Sequence, residues 1–297
     1  MNNNSRLIDV MIAGAQKSGT TSLAKYLAQH PQITTHKQME MTFFVNSEEY
    51  QRGYKHAVDQ YFPADSVNTE FIMGKSVGIM YFKHAMQRLY EHNPNCKIIV
   101  ILRNPVSRAY SAYWYMRRVG YETVDSFAKA LELESYRKTQ NDLKSAHCLY
   151  RDRGLYHHQI KNLHEVFGSE NVYTLLLEDL TATSESIFPD LLSFIGVDNS
   201  LKIEVKSKNN QAKKAKSEFL SKTLKSDGIG KSFLKKIVPV TYLRSVRNYI
   251  QKMNEESFEI PEMQPAVKSE LVDFFRPHNQ ELEKLINRDL SHWSNSQ

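Results

Sequence analysis

Apolar residues in this chain occur in short unbroken runs, separated by longer stretches of helical periodicity. Three such runs predict β-strands: Leu7–Ala13, Lys97–Leu102 and Val172–Leu177. Five stretches with apolar residues three or four positions apart predict helices: Thr20–Gln29, Pro105–Arg118, Gly154–Phe167, Ser184–Ile195 and Gln264–Leu290. Pro277 is expected to kink or split the last of these helices.

The order of these elements predicts the fold class. Strands that are apolar at consecutive positions are typical of a parallel sheet whose two faces are both covered by helices. We therefore predict an α/β protein of three layers, with a central, mostly parallel sheet flanked by helices. Residues 1–297 contain no internal repeat, and we predict a single domain. Because ligands bind at the carboxyl ends of parallel strands, the loops after Ala13, Leu102 and Leu177 form the candidate site.

The composition is that of an ordinary globular protein, with 41% hydrophobic and 24% charged residues. The longest apolar run, Ile98–Leu102, is far shorter than the roughly 20 residues of a membrane helix. The polar N-terminus lacks the apolar core of a signal peptide, and two cysteines cannot form a disulfide framework. These features predict a cytoplasmic protein without an integral membrane segment.

Positive charge is concentrated in one segment. The net charge is +6, but residues 202–236 contain eleven lysines and three acidic residues, so the rest of the chain carries a net −2. Such a segment is typical of a protein that binds an anionic ligand, an acidic polymer or a membrane surface, and equally of a solvated loop. This lysine-rich segment, residues 202–236, is also the one candidate for a disordered insert.

The loop after the first predicted strand has the composition of a phosphate-binding turn. It reads GAQKSGTT over residues 14–21 and leads into a predicted helix. Backbone N–H groups, the hydroxyls of Ser18, Thr20 and Thr21 and the charge of Lys17 would bind a phosphate, and Gly19 allows close approach. The glycine spacing matches the P-loop of nucleotide triphosphatases, but Thr20 stands in place of the P-loop lysine. We therefore predict a P-loop-like fold that binds a 5′-phosphate and is poorly equipped for magnesium-dependent phosphoryl transfer.

Two segments together resemble a known enzyme family. Residues 12–32 (IAGAQKSGTTSLAKYLAQHPQ) resemble the 5′-phosphosulfate loop of the sulfotransferases that use 3′-phosphoadenosine 5′-phosphosulfate (PAPS), and residues 97–113 (KIIVILRNPVSRAYSAY) resemble their 3′-phosphate motif. The resemblance extends to Glu40–Phe44, Gly154–Tyr156 and Leu290–Trp293, and it is strongest to the branch with the heparan-sulfate sulfotransferases. It implies an enzyme that takes a sulfuryl group from PAPS, releases 3′,5′-ADP and requires no metal.

The second motif implies a binding site for the 3′-phosphate of the nucleotide. Arg103 follows a predicted strand, and Ser111 lies about two turns into the next helix, so both side chains can converge on one anion. The resemblance assigns the 3′-phosphate to Arg103 and Ser111. We interpret Arg108 as a surface residue on another side of that helix.

Three side chains are predicted to act in catalysis. Sulfuryl transfer needs alignment, stabilisation of charge on the leaving oxygen and a base for the acceptor. Lys17 is the candidate for the leaving oxygen. The resemblance of residues 40–44 to an E-x-x-F-F element implies that Glu40 is the base, although Thr42 stands where many relatives carry histidine. Residues 74–76 resemble an E-K-[ST] element, with glycine for the acid, which implies that Lys75 lies near the sulfate or acceptor. His36 is a competing base, because a small-molecule branch of the family uses histidine.

Other residues receive binding or packing roles. Tyr156 matches a G-x-Y element near the cofactor, and packing explains it equally well. His157 and His158 are adjacent in a predicted helix and lack a partner four residues on, so we interpret them as surface or packing residues and expect no metal site. The resemblance implies that three lysines of the lysine-rich segment close over the cofactor: Lys213, Lys214 and Lys216.

The sequence does not determine the chemical identity of the acceptor. A carbohydrate hydroxyl or amine is the leading candidate, and a lipid or small-molecule hydroxyl is the alternative. Two other classes are a P-loop kinase and a protein that binds an anionic polymer through the lysine-rich segment. The absence of the P-loop lysine argues against a function as a P-loop kinase. The segment has no arginine and only two aromatic residues, Phe219 and Phe233, so we expect no nucleic-acid partner.

Overall fold

The computed structural model describes residues 7–62, 70–182, 184–205, 213–215, 255–257 and 260–294. Contacts within the chain divide it into two units. Unit 1 comprises Met1–Arg108, Arg153–Ser207 and Val272–Gln297, and unit 2 comprises Ala109–Asp152 and Lys208–Leu271. That all 297 residues form a single domain stays a prediction.

A five-stranded parallel sheet forms the centre of unit 1. Its strands, in chain order, are β1 (Val10–Gly14), β2 (Ile33–Thr35), β3 (Phe71–Lys75), β4 (Lys97–Leu102) and β5 (Val172–Leu176). The spatial order is β2-β3-β1-β4-β5, with every neighbouring pair parallel. The sequence pattern predicted β1, β4 and β5, whereas β2 has three residues and β3 contains Gly74 and Lys75. Both are too short or too polar to stand out from periodicity alone.

Both faces of this sheet are buried. Along β1, Met11 and Ala13 belong to one apolar cluster, and Val10 and Ile12 belong to a second cluster. Successive side chains of a strand point to opposite faces, so each face has its own apolar cover. This arrangement explains the unbroken apolar runs and confirms the predicted three-layer α/β fold.

Helices of unit 1 supply the two covers. Helices α1 (Thr20–Leu27) and α11 (Ser184–Ile195) cover the face of Val10 and Ile12. The opposite face is covered by α4 (Lys83–His92), α9 (Tyr156–Phe167) and, through Leu282, α12 (Pro265–Ile286). Helix α12 is continuous through Pro277, so the predicted split is wrong. Three shorter helices of this unit are α2 (Ser47–Gln51), α3 (Tyr54–Tyr61) and α10 (Leu177–Ala182).

Unit 2 contains most of α5 (Pro105–Arg118) and three short helices, α6 (Phe127–Glu132), α7 (Glu134–Thr139) and α8 (Leu143–His147). A buried carboxylate, Glu122, forms an ion pair with Arg137 at 2.8 Å and accepts a hydrogen bond from Tyr150 at 2.8 Å. Strands β6 (Lys213–Ala215) and β7 (Glu255–Ser257) pair antiparallel.

Much of the lysine-rich segment lies outside the described residues, at 206–212 and 216–236, so its predicted disorder stays a prediction.

Cys96 and Cys148 are both buried free thiols. Among the helices that the structure describes, none combines the length and apolar character needed to cross a membrane.

Candidate active site

Three neighbouring strands end at one edge of the sheet in unit 1. Strand β1 leads into a loop that precedes α1, β3 ends at Lys75, and β4 is followed directly by Arg103. Because β3, β1 and β4 are adjacent and parallel, the residues after them lie side by side. This edge is therefore the candidate active site.

The loop between β1 and α1 contains two residues in the left-handed region of backbone space. Lys17 has a φ of 65° and Gly19 has a φ of 94°. A non-glycine residue in this region is uncommon and is often found at a functional site. At Gly19, a Cβ atom would lie 2.9 Å from Leu177 Cδ1, so both the backbone and the packing favour glycine.

The same loop has donors that suit an anionic group. Gly19 is the N-cap of α1, and no side chain caps the helix there. Ser18 is fully buried; burial raises the pKa of the Tyr156 phenol, and the nearby Ser18 hydroxyl opposes part of this rise. Among the described residues, however, Ser18 Oγ has no hydrogen bond of good geometry. Thr20 is buried and Thr21 is exposed at the start of the helix. A phosphate or sulfate fits these groups because the N-terminus of a helix and a buried hydroxyl both donate to anions.

Arg103 contacts this loop from the end of β4. Its Nη1 donates to the carbonyl oxygen of Lys17 at 3.3 Å, and its own carbonyl oxygen accepts from the Tyr156 hydroxyl at 3.0 Å. Burial lowers the pKa of the Arg103 guanidinium, so a bound anion would offset part of the cost of burying this charge. The structure thus brings together Lys17, Arg103 and Tyr156, which the sequence assigned to one ligand.

The C-terminal Trp293 packs next to these residues. Its ring lies edge-to-face with the ring of Tyr156, with 6.2 Å between the centroids. The carbonyl oxygen of Trp293 accepts a hydrogen bond from Asn104 Nδ2 at 3.0 Å, and its indole N–H donates to Glu178 at 3.2 Å. The tail that resembled the family in sequence therefore supports the residue that follows Arg103.

Glu40 and Lys75 form a direct ion pair. Lys75 Nζ lies 2.7 Å from Glu40 Oε1, and the Val77 N–H donates to Glu40 Oε2 at 2.9 Å. The Met41 N–H in turn donates to the carbonyl oxygen of Lys75 at 2.8 Å, which fixes the two segments side by side. The Lys75 side chain is 4% exposed and that of Glu40 is 30% exposed. The carboxylate is therefore held in position and still open to an acceptor.

His36 lies behind this pair. Its Nε2 accepts a hydrogen bond from the Lys75 N–H at 3.0 Å, and its ring is buried. Burial, followed by the charge of Lys75, lowers the pKa of His36 to about 4. Because the acceptor nitrogen is already used, the structure favours His36 as a support for the end of β3 and argues against it as the base.

The residues after Glu40 anchor this segment in the core. Phe43 and Phe44 are buried in the apolar cluster on the Met11 face of the sheet. The Thr42 hydroxyl hydrogen-bonds with Glu49 at 2.7 Å and with Tyr61 at 3.0 Å. The threonine that replaces a histidine of many relatives therefore belongs to a polar cluster with Glu49 and Tyr61.

Arg108 was interpreted from the sequence as a surface residue, and this is wrong. It is fully buried, and its Nη1 donates to Gln16 Oε1 at 3.3 Å in the loop after β1. Its charge also lowers the pKa of Tyr156, which burial raises. The missed signal is helical spacing: Arg108 shares a stripe of α5 with the buried residues Pro105 and Ala112, three and four positions away.

The other predicted site residues are not joined to this group by any described contact. Ser111 lies on α5 in unit 2. Lys213 and Lys214 lie in β6, where only the backbone is described, and Lys216 lies outside the described residues. Their binding roles stay predictions.

Comparisons with known proteins agree with the motifs and the fold. The family model named sulfotransferase domain matches residues 7–283. Human bifunctional heparan sulfate N-deacetylase/N-sulfotransferase 3 is 37% identical over 122 residues, which are 39% of this chain and 14% of that protein. The human type 2 protein is 26% identical over 288 residues, which are 95% of this chain and 30% of that protein.

A solved structure has the same fold. The crystal structure of a sulfotransferase from Alicyclobacillus acidocaldarius is 28% identical, with a TM-score of 0.69, and the match covers 98% of this chain and 100% of that chain. The present chain spans less than a third of the length of the curated relatives named above. The family model nevertheless covers nearly all of it, and the relatives confirm the predicted resemblance to the heparan-sulfate branch. The chain therefore belongs to the sulfotransferase family of enzymes.

Proposed function

We propose that this protein transfers a sulfuryl group from PAPS to a hydroxyl or amine of a carbohydrate acceptor. The main support is the Glu40–Lys75 pair, which lies at the end of β3, next to the anion-binding loop that follows β1. A base and a buried cation beside a site for an anionic donor are the groups that this reaction needs.

The donor would be bound at both of its anionic ends. The loop residues Lys17, Ser18, Gly19, Thr20 and Thr21 would bind the 5′ end. The 3′-phosphate is assigned to Arg103 and Ser111. When bound, PAPS supplies the sulfuryl group and a phosphate leaving group. Tyr156 would hold the backbone of Arg103, and additional charge would come from Lys213, Lys214 and Lys216.

The chain would contribute to transfer through two charged groups and their supports. Glu40 takes the proton from the acceptor hydroxyl or amine, and Lys75 and the Val77 N–H keep the carboxylate in position. The ammonium of Lys17 stabilises negative charge on the leaving oxygen. His36 positions Lys75 because its Nε2 accepts a hydrogen bond from the backbone N–H of Lys75.

A carbohydrate is the preferred acceptor because the relatives are named for action on heparan sulfate. The term N-sulfotransferase in the names of these relatives also favours an amine over a hydroxyl of the carbohydrate as the acceptor group. Membership of the sulfotransferase family and the threonine at position 20 both oppose a P-loop kinase. A lipid or small-molecule acceptor is the alternative, and a cytoplasmic location stays a prediction from the sequence.

Donor binding is tested by thermal unfolding with 3′,5′-ADP, 5′-AMP and ATP at equal concentrations. We expect 3′,5′-ADP to raise the melting temperature most, because it alone presents phosphates at both the 3′ and 5′ positions. Arg103→Gln is expected to remove most of the difference between 3′,5′-ADP and 5′-AMP. Equal stabilisation of the wild type by these two nucleotides would refute the assignment of the 3′-phosphate.

The acceptor class is tested by sulfate transfer from labelled PAPS. A glucosamine-containing polymer with free amines is compared with the same polymer after acetylation of its amines. Labelling of the free-amine polymer alone supports N-sulfation, and labelling of both supports a hydroxyl acceptor. Labelling of neither, by a protein that binds 3′,5′-ADP, would contradict a carbohydrate acceptor of this type.

A further inference from the structure

Three histidines of unit 1 converge at a place that the proposed reaction does not use. His157 and His158 lie in the first turn of α9, and His278 lies in α12. One ligand nitrogen of each lies within 4.8 Å of the other two. The ring centroids of His157 and His158 are 3.6 Å apart, and those of His157 and His278 are 5.2 Å apart. No other group of three histidine, cysteine or acidic side chains in the described residues has this potential.

The sequence alone gave no sign of this cluster. Adjacent histidines on a helix project in directions about 100° apart, and neither has a histidine four residues on. The third histidine comes from a helix at the other end of the chain. Both elements pack on the same face of the sheet, through residues such as Ile160 and Leu282, and this packing brings the imidazoles together.

One imidazole of the cluster is exposed, and another has a ring nitrogen without a hydrogen-bond partner among the described residues. His158 is exposed, and His157 and His278 are half-buried. Among the described residues, Nδ1 of His157 has no hydrogen-bond partner. This nitrogen is itself buried, so an ion bound there would displace no internal hydrogen bond, and the exposed His158 is the member of the cluster that is open to solvent.

We propose that His157, His158 and His278 bind one divalent transition-metal ion of the zinc, nickel and copper class. Imidazole is a preferred ligand for these ions, whereas magnesium and calcium prefer oxygen. Zinc–nitrogen bonds of about 2.0–2.1 Å require ligand nitrogens about 3.4 Å apart in a tetrahedron. Since the ligand nitrogens already lie within 4.8 Å of one another, each pair has to approach by at most about 1.4 Å.

The groups around the cluster have opposing effects on the binding of a cation. Burial lowers the pKa of His157 and of His278, and the neighbouring imidazoles lower both further, so protons compete less for the ligand nitrogens. Glu281 lies close enough to His157 to oppose this shift, and Lys161 acts in the other direction. The Glu281 carboxylate is therefore an acidic group near the cluster, and it also forms an ion pair with Lys284 at 3.0 Å.

The proposed role is structural. An ion held by these three histidines would link the first turn of α9 to α12. Tyr156 immediately precedes His157, and its hydroxyl donates to Arg103. Metal binding would therefore stabilise the helix that supports the nucleotide site and take no part in sulfuryl transfer.

The proposal is tested on the full chain, without a histidine tag, after removal of metals with a chelator. In a calorimetric titration at pH 7.5, we expect one Zn²⁺ to bind per chain. Saturating Zn²⁺ is expected to raise the melting temperature by about 5 °C, and Mg²⁺ and Ca²⁺ are expected to leave it unchanged. No nucleotide is present, so the result is independent of the proposed sulfotransferase reaction.

Matched variants assign the ion to the cluster. His158→Ala removes an exposed side chain, so it should fold normally, and we expect it to weaken Zn²⁺ binding by at least about tenfold. His278→Ala should have the same effect. His56→Ala, an exposed histidine of α3, is the control and should bind as the wild type does. Absence of stoichiometric Zn²⁺ binding by the wild type, or unchanged affinity in His158→Ala, would overturn the proposal.

Discussion

The carboxylate of Glu40 receives one hydrogen bond from Lys75 Nζ and another from the Val77 N–H. These two donors use one lone pair on each oxygen and leave others for an acceptor proton. Both donors belong to the end of β3 and the turn after it, so the geometry of the proposed base depends on that strand. The Glu40–Phe44 motif identified the carboxylate, and only the fold identified its partner.

Replacement of Glu40 by glutamine is expected to reduce kcat by about 10²–10⁴-fold, because the amide cannot take the acceptor proton. The affinity for 3′,5′-ADP should change less than about threefold, since the described hydrogen bonds and ion pair of the Glu40 side chain go to Lys75 and Val77. Steady-state kinetics and a nucleotide titration measure the two quantities. Glu48→Gln, at an exposed position in α2, is the control and should behave as the wild type does. A Glu40→Gln protein with more than a tenth of wild-type turnover would exclude Glu40 as the base.

At the level of elements, the loop between β1 and α1 depends on backbone conformation as much as on side chains. Two of its residues, Lys17 and Gly19, have positive φ angles. The N–H of Ala15 also donates to the carbonyl oxygen of Ile101 at 2.8 Å, which ties the start of the loop to β4. A change in this backbone would move all the donors assigned to the 5′ end together.

Gly19→Ala is expected to destabilise the protein by about 2 kcal/mol and to weaken 3′,5′-ADP binding. An alanine with φ near 94° costs about 1–2 kcal/mol, and its Cβ would also displace Leu177. Urea unfolding and a nucleotide titration provide the measurements.

Gly53→Ala separates the general cost of an alanine at positive φ from a specific effect on nucleotide binding. Gly53 has a φ of 83°, but a Cβ there would meet no atom within 4 Å. Because its ψ of 156° places Gly53 in a backbone region that is essentially restricted to glycine, this variant should lose about 1–3 kcal/mol of stability and keep full nucleotide affinity. Equal nucleotide affinity in both variants would show that the Gly19 backbone is not needed for binding.

At the level of the whole molecule, two buried histidines link stability to pH. His36 accepts the Lys75 N–H, and His92 accepts the Ile8 N–H at 3.0 Å. Burial is the largest cause that lowers the pKa of each to about 4. The unfolded chain binds protons at these residues near pH 6.5, whereas the native state stays neutral until about pH 4. The stability they contribute is therefore complete above pH 6.5 and is lost as the pH falls towards 4.

The free energy of unfolding is expected to be lower at pH 4.5 than at pH 7, with each histidine contributing on the order of 2 kcal/mol. His92→Gln keeps a hydrogen-bond acceptor and does not titrate, so its loss between the two pH values should be smaller by about this amount. Urea unfolding at both pH values gives the comparison. His56→Gln is the control and should lose as much as the wild type. An equal loss in His92→Gln and the wild type would contradict the role of His92.

The elements and the site were predictable to different extents. Strand β4, helix α5 and helix α11 have the bounds that periodicity predicted. Strands β2 and β3 and the short helices of unit 2 were not predicted, because a few residues hold too little periodicity to distinguish a helix from a strand. Both unpredicted strands bear on the site, because β2 is followed directly by His36, which supports Lys75, and β3 carries Lys75.

By itself, the sequence determined that this protein has apolar strands for a parallel sheet and belongs with the sulfotransferases, and it predicted a phosphate-binding loop after the first strand and site roles for Lys17, Glu40 and Arg103. Only the tertiary structure decided that Lys75 pairs with Glu40, that His36 is already hydrogen-bonded, and that Arg108 is buried. It also brought His278 to His157 and His158. The physical reason is that periodicity reports the burial of each residue relative to its neighbours in the chain. Contacts between distant residues depend on the order of strands in the sheet and on which helices share a face, and neither is written in local periodicity.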